Sequence, residues 1–145
     1  MANTMINPMS LEGRNIIVTG AGQGIGLAIS ELAISLGAKV AGVDLNEENL
    51  KAAEAKFGDK FLGLVGNVAD EAFSNKAVAD AVEHFGAVHG LVNNAGIGRP
   101  AMFTKMTTQE WQLVLDVHLN GSFFFTQAVG KHMVERAKAG DERPG

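Results

Sequence analysis

The run Thr19-Gly20-Ala21-Gly22-Gln23-Gly24-Ile25-Gly26 places four glycines within seven positions. A β-branched segment precedes it and a helical pattern follows it. Glycine adopts positive φ without strain and lets a backbone approach a ligand closely, and the free amides at a helix start favour negative charge. Such a turn can cradle a diphosphate. The strict G-x-G-x-x-G spacing fails, because Ile25 stands where the third glycine would fall. The spacing that is met is T-G-x-x-x-G-x-G, with Gly20, Gly24 and Gly26. A glycine turn that serves only packing is the alternative, and the strand before and helix after are the context that favours the phosphate reading.

Asp44 lies 24 residues beyond Gly20, at the end of the next apolar run. An acidic residue at roughly this offset, ~20 residues, accepts hydrogen bonds from an adenosine ribose. A carboxylate there repels a 2′-phosphate, so it favours NAD(H) over NADP(H). Its alternative role is capping the helix that Leu45 and Asn46 lead into. Asn67 and Val68 follow the third strand, which would set them beside the adenine, although an asparagine at a strand end is also a turn residue.

The elements that must position these groups are legible in the switching periodicity. Asn15–Thr19 reads as a buried strand, and Ile25, Ala28, Ile29, Leu32, Ala33 and Leu36 then recur at helical spacing up to the stop at Gly37. A second strand over Lys39–Val43 ends at Asp44. Asn46 opens a helix carrying Leu50, Ala53 and Phe57, and a third strand covers Phe61–Val65. Asp70 opens a helix with the face Phe73, Ala77, Val78, Ala81, Val82 and Phe85. The fourth strand is expected over His89–Asn93. After the loop Gly96-Ile97-Gly98-Arg99-Pro100, Thr107 and Glu110 fit a capping box. One long helix is then expected towards Ala139, with Trp111, Val114, Leu115, His118, Leu119 and Ser122 on its inner side. Four uniformly apolar strands alternating with four helices predict an α/β fold with a doubly wound parallel sheet of the Rossmann type, three layers deep. Ligands of such sheets bind at the carboxyl ends of the strands. Residues 1–10 read as an arm and 11–145 as one dinucleotide-binding domain.

Composition removes other classes. The 145 residues carry 12 Lys+Arg against 16 Asp+Glu, a net charge of −4. With a pI near 5.5 and no basic run outside the mixed-sign tail Lys131–Arg143, the electrostatic footprint of a nucleic-acid binder is missing. There is no cysteine, hence no disulfide, thiol nucleophile or Cys-ligated zinc, and the histidines at 84, 89, 118 and 132 have no close metal-ligand spacing. His84, His89 and His132 read as surface or helix-end residues. No signal peptide or spanning segment stands out, so no membrane is expected and a soluble, cytoplasmic protein is. No tyrosine occurs anywhere.

Three segments together resemble the N-terminal part of a short-chain dehydrogenase/reductase: Thr19-Gly20 to Gly26, Asn93-Asn94-Ala95-Gly96 after the fourth strand, and Asp116-Val117-His118-Leu119-Asn120-Gly121. The likeness runs from about Leu11 to the end. It implies that Gly20, Gln23, Gly24, Ile25 and Gly26 surround a pyrophosphate, that Asp44 selects the ribose, and that Asn67 and Val68 face the adenine. It also implies that Asn94, with Ala95 and Gly96, lies against the cofactor ribose while bracing the strand. Gly96 has a reason of its own, since a bulky side chain there would crowd the cofactor.

The pattern departs from the family at two places. Asn67 replaces the usual aspartate, and its amide oxygen can still accept from the adenine. His118 falls at the family's catalytic asparagine, framed by Leu119 and Gly121, where its ring either organises a proton-relay water or packs. Asn120 is about 200° further round a helix and cannot substitute. The family's catalytic serine, tyrosine and lysine have no counterpart here, and the sequence stops about where a fifth strand would begin. The resemblance therefore implies the cofactor-binding half of a longer NAD(P)(H)-dependent oxidoreductase that transfers hydride between nicotinamide and a small-molecule carbonyl or secondary alcohol. A 3-oxoacyl thioester reductase and a sugar, steroid or polyol dehydrogenase are the candidates. The half-sheet should expose apolar surface where further strands would pack. Trp111 and Phe123-Phe124-Phe125 are expected in the core or a subunit interface, and the family implies a homo-oligomer. Met102, Phe103 and Met106 either border a substrate cavity or fill gaps. The reading from another class is a non-catalytic dinucleotide-binding or interaction module, complete at 145 residues.

Overall fold

The computed structural model describes residues 7–145. Of the expected arm, positions 1–6 lie outside the described residues. The chain forms β1 (Asn15–Thr19), α1 (Gly24–Ser35), β2 (Lys39–Asp44), α2 (Glu47–Phe57), β3 (Phe61–Val65), α3 (Glu71–Phe85), β4 (Gly90–Val92), α4 (Thr108–Leu115) and α5 (Gly121–Lys138). The sheet is parallel throughout, in the order β3-β2-β1-β4. Ile16 pairs with Val40 on one side and Gly90 on the other, and Val40 pairs with Phe61. This is the predicted doubly wound α/β architecture. The order reverses between β1 and β4, which opens a crevice at the carboxyl ends of those strands.

Successive side chains of a strand point to opposite faces, and here both faces are covered. Ile17, Ala41 and Val43 pack beneath α3 and α5 with Val78, Phe125 and Val129. Val18, Val40 and Phe61 pack beneath α1 and α2 with Ile34, Leu50 and Ala53. Strands buried on both sides carry no polar alternation, which is why β1 and β2 read as continuous apolar runs. Phe125 is fully buried, and a side chain of that size contributes about 2–3 kcal/mol over leaving it in water.

Helix starts follow their capping chemistry. Asn46 accepts from the Asn49 amide, and Asp70 accepts from the amides of Ala72 and Phe73. Thr107 and Glu110 close the expected capping box, with the Thr107 amide donating to Glu110 Oε2 at 2.8 Å. That bond holds the Glu110 carboxyl below its ordinary pKa. Asp44 is not the cap of α2, since Asn46 does that work.

Two expectations are corrected. β4 is shorter than His89–Asn93, and its Leu91 and Val92 are half-buried at the sheet edge. The single long helix is interrupted by a π-helical turn over Asp116–Asn120. The wider turn shifts the phase of the helix, so the inner side is Val117, Gly121, Phe125, Ala128 and Val129. Trp111, Leu119 and Phe123 face outward instead, 53%, 63% and 57% exposed. Of the aromatic run, only Phe125 belongs to the core. Among the described residues, no helix is long and apolar enough to cross a membrane.

Candidate functional site

A cleft of about 430 Å³ opens at the carboxyl ends of the strands, lined by Gly20, Gln23, Gly24, Ile25, Val43, Asp44, Leu45, Gly66, Asn67, Val68, Asn94, Ala95, Gly96, Ile97 and Val117. The structure thus gathers ten of the eleven predicted cofactor residues around one space. The eleventh, Gly26, lies behind the lining, where a Cβ would come within 2.0 Å of the Gly20 carbonyl oxygen. Only glycine permits that approach of α1 to the loop. Gly20 itself has φ +67°, in the left-handed region.

The wall between β1 and β4 is held by a reciprocal network. The buried Thr19 hydroxyl accepts from the amides of Asn94 and Ala95, at 3.1 and 3.0 Å. In return the Asn94 side-chain amide donates to the carbonyls of Thr19 (3.0 Å) and Gly20 (3.2 Å). Asn94 therefore braces the glycine turn against the end of β4, as the resemblance implied.

Asp44 is fixed at the other wall. Its Oδ2 accepts from the Gly22 amide at 2.9 Å and its Oδ1 from the Asn46 amide at 3.0 Å. A carboxylate oxygen has room for a further donor, so both remain available to a ligand. Gly22 is a structurally constrained position that motif matching passes over, because it falls on an unspecified place of T-G-x-x-x-G-x-G. A Cβ at Gly22 would sit 2.9 Å from the Asp44 carboxylate. The alternation of glycines was the available signal. Asn67 is exposed, and its Oδ1 accepts from the Ala69 amide at 2.9 Å. The turn role and the cleft position thus coexist at that residue.

The start of α1 differs from those of α2, α3 and α4. It has no side-chain cap and no acidic residue in its first turn, whereas the other three have both. Its first amides, at the cleft, have partial positive charge and no capping side chain among the described residues to answer it.

His118 sits in the π-helical turn with its Nε2 3.0 Å from both the amide nitrogen and the carbonyl oxygen of Ile97. Phe103, Met106, Thr107, Thr108 and Trp111 line a separate, shallow depression of about 440 Å³. No group of acidic residues and histidines among the described residues is arranged to hold a metal ion.

A doubly wound parallel sheet, a glycine turn leading to an uncapped helix start and an acidic residue at the end of the second strand define the class, and the chain belongs to the short chain dehydrogenase family, whose model matches residues 14–141. The chain is 43% identical over 129 residues to a D-threitol dehydrogenase of Mycolicibacterium smegmatis, covering 86% of this chain and 49% of that protein. It is 37% identical over 128 residues to the 3-oxoacyl-(acyl-carrier-protein) reductase FabG of Salmonella typhimurium, covering 88% and 52%. Among solved structures, a 3-ketoacyl-(acyl-carrier-protein) reductase of Brucella melitensis complexed with NADH superposes with a TM-score of 0.86 at 32% identity, covering 92% of this chain and 56% of that one. The chain spans about half the length of the relatives it matches. Membership in an oxidoreductase family does not favour the reading as a non-catalytic module.

Proposed function

We propose that this chain forms the nicotinamide-cofactor half of an oxidoreductase acting on a small-molecule carbonyl or secondary alcohol, and that it prefers NAD(H) to NADP(H). The cofactor, when bound, supplies the hydride chemistry, and the protein supplies binding and orientation. The residues fit such a group. The cleft falls within the usual ligand range of roughly 300–1,000 Å³. Gly20, Gln23, Gly24, Ile25 and Gly26 would form the diphosphate cradle, with the amides of the α1 start as its donors. Asn67 and Val68 would flank the adenine, and Asn94, Ala95 and Gly96 the second ribose.

The preference for NAD(H) rests on one observation: Asp44 is held at the cleft by two backbone amides. A carboxylate in that place accepts from ribose hydroxyls and repels a 2′-phosphate. Both a polyol dehydrogenase and an acyl-thioester reductase occur among the similar proteins, and the NAD(H) preference supports the dehydrogenase reading. The outward apolar residues Trp111, Leu119 and Phe123 support a homo-oligomer built on α4 and α5. The charge of −4 supports a protein without nucleic-acid partners.

The test is a parallel titration of the chain with NADH and NADPH, followed by nucleotide fluorescence and Trp111 emission. NADH should bind more tightly. Asp44→Asn keeps an acceptor for the Gly22 amide but removes the charge, and should shift the NADH/NADPH affinity ratio about tenfold towards NADPH, equivalent to ~1.4 kcal/mol. A ratio that favours NADPH in the unmodified chain would refute the assignment of Asp44.

A further inference from the structure

Ser74 is fully buried near the start of α3. A serine within a helix ordinarily bonds the carbonyl four residues back. Ser74 Oγ does lie 3.0 Å from the Asp70 carbonyl oxygen, but it also lies 3.2 Å from that of Val68. A hydroxyl has one proton to give. The Asp70 carbonyl already accepts from the Ser74 amide at 2.9 Å, whereas the Val68 carbonyl has no other donor among the described residues. Val68 is 8% exposed, and a buried carbonyl needs a partner. The Ser74 proton therefore belongs to Val68. The peptide that joins Val68 to Ala69 is then held at both ends, since the Ala69 amide donates to Asn67 Oδ1 at 2.9 Å. The Val68 side chain seats against α5 at Gly121, where a Cβ would come within 2.8 Å of Val68 Cγ2. Gly66, Asn67 and Val68 all line the cleft.

We infer that Ser74 is a positioning residue for the cleft: acting through the Val68 carbonyl, it fixes the wall formed by Asn67 and Val68 against α3, while Gly121 leaves room for that wall to seat against α5. The functional consequence rests on the cofactor reading above, in which this wall flanks the adenine. On that reading Ser74 governs affinity for the adenylate half of the cofactor and leaves the nicotinamide half alone. The opposite wall is built independently, because Asn94 and Ala95 are tied to Thr19 on β1 and not to α3. An apolar residue of the same size would fill the space in α3 equally well, but it would leave the Val68 carbonyl without a partner.

The experiment uses the chain labelled with nitrogen-15 and two variants, Ser74→Ala and Ser74→Cys, the second keeping the shape of serine with a weak donor. In both, the Ala69 amide should exchange about fivefold faster, because the Val68–Ala69 peptide loses one of its two ties. Titrations followed by amide shifts should show NADH and AMP bound about fivefold more weakly than by the parent chain, and reduced nicotinamide mononucleotide bound as before. Equal weakening of both mononucleotides would mean that the fold at large has loosened and would overturn the inference. Ala69 exchange or AMP affinity indifferent to both variants would do the same. Should the parent chain bind neither NADH nor AMP while Ala69 exchange still responds, the cofactor reading falls and the tie of Ser74 to the wall stands.

Discussion

The two ends of the sheet are built on opposite plans. At the carboxyl ends of the strands the groups that face one another are glycines, backbone amides and an uncapped helix start, around an open cleft. At the amino ends, side chains close the structure. His89 Nδ1 accepts from the Asn15 amide at 2.9 Å, His132 Nε2 accepts from the Val88 amide at 3.1 Å, and the Asn15 side chain donates to the Ala87 carbonyl at 2.8 Å. Arg136 donates to the Val88 carbonyl at 3.2 Å and pairs with Asp141. Buried backbone groups must find partners. At the amino ends the protein supplies them from its own side chains, whereas at the carboxyl ends Thr19, Asp44 and Asn94 serve some and the first amides of α1 are left facing the cleft. Stability and binding should accordingly respond to different substitutions.

The largest effect should come where the cleft end tolerates least. Gly26→Ala forces a methyl against the Gly20 carbonyl, and should cost about 3 kcal/mol in urea denaturation and abolish NADH binding. Unchanged binding would show that the loop can shift without loss of its function, which would blur the distinction between the two ends.

At the closed end the reverse is expected. His132→Ala leaves the Val88 amide without its acceptor and should cost about 2 kcal/mol of stability, while the folded protein keeps its NADH affinity. The same end sets a pH dependence. Burial first, and then the Arg136 guanidinium, hold both His89 and His132 below the ordinary histidine value of 6.5; for His89, Arg14 and His132 add to this and Asp141 opposes it, and for His132, Glu135 opposes it. Their folded-state pKa values are depressed, so the unfolded chain takes up protons first. The stabilisation is full above pH 6.5 and is lost as the pH falls below it towards the depressed values. Denaturation midpoints measured between pH 8 and 5 should decline in the parent chain, and decline less in His132→Ala. The smallest effect belongs to a feature at neither end: Thr107→Ala removes the capping box of α4 and should lower stability by about 1 kcal/mol with no change in cofactor binding.

Legibility in the sequence divides along a related line. The glycine turn, Asp44, Asn94 and the Thr107 cap are local signals, each read from a few adjacent residues, and all sit where they were expected. Structure and expectation part where a contact joins distant segments. His89 and His132 read as surface or helix-end residues because nothing near them in sequence announces that the amides they serve lie 74 and 44 positions away. The inner face of the last helical stretch differs from the periodic expectation because five residues of π-helix change its phase, and Trp111, Leu119 and Phe123 are apolar residues on the outer side that compete with the true face. Gly22 was passed over because a motif treats as free a position that the Asp44 carboxylate constrains.

The register of the sheet carries a consequence for how the chain assembles. β1 meets β2 across 24 residues (Ile16 with Val40) and β2 meets β3 across 21 (Val40 with Phe61), but β1 meets β4 across 74 (Ile16 with Gly90). Closing the longer loop costs more chain entropy and comes with only three paired positions. During synthesis the first three strands can therefore associate while β4 is still being made, and one side of β1 waits exposed. The Thr19 and Asn94 network and the His89 contact with Asn15 both span that last junction, so cleft and closure are completed in the same late event.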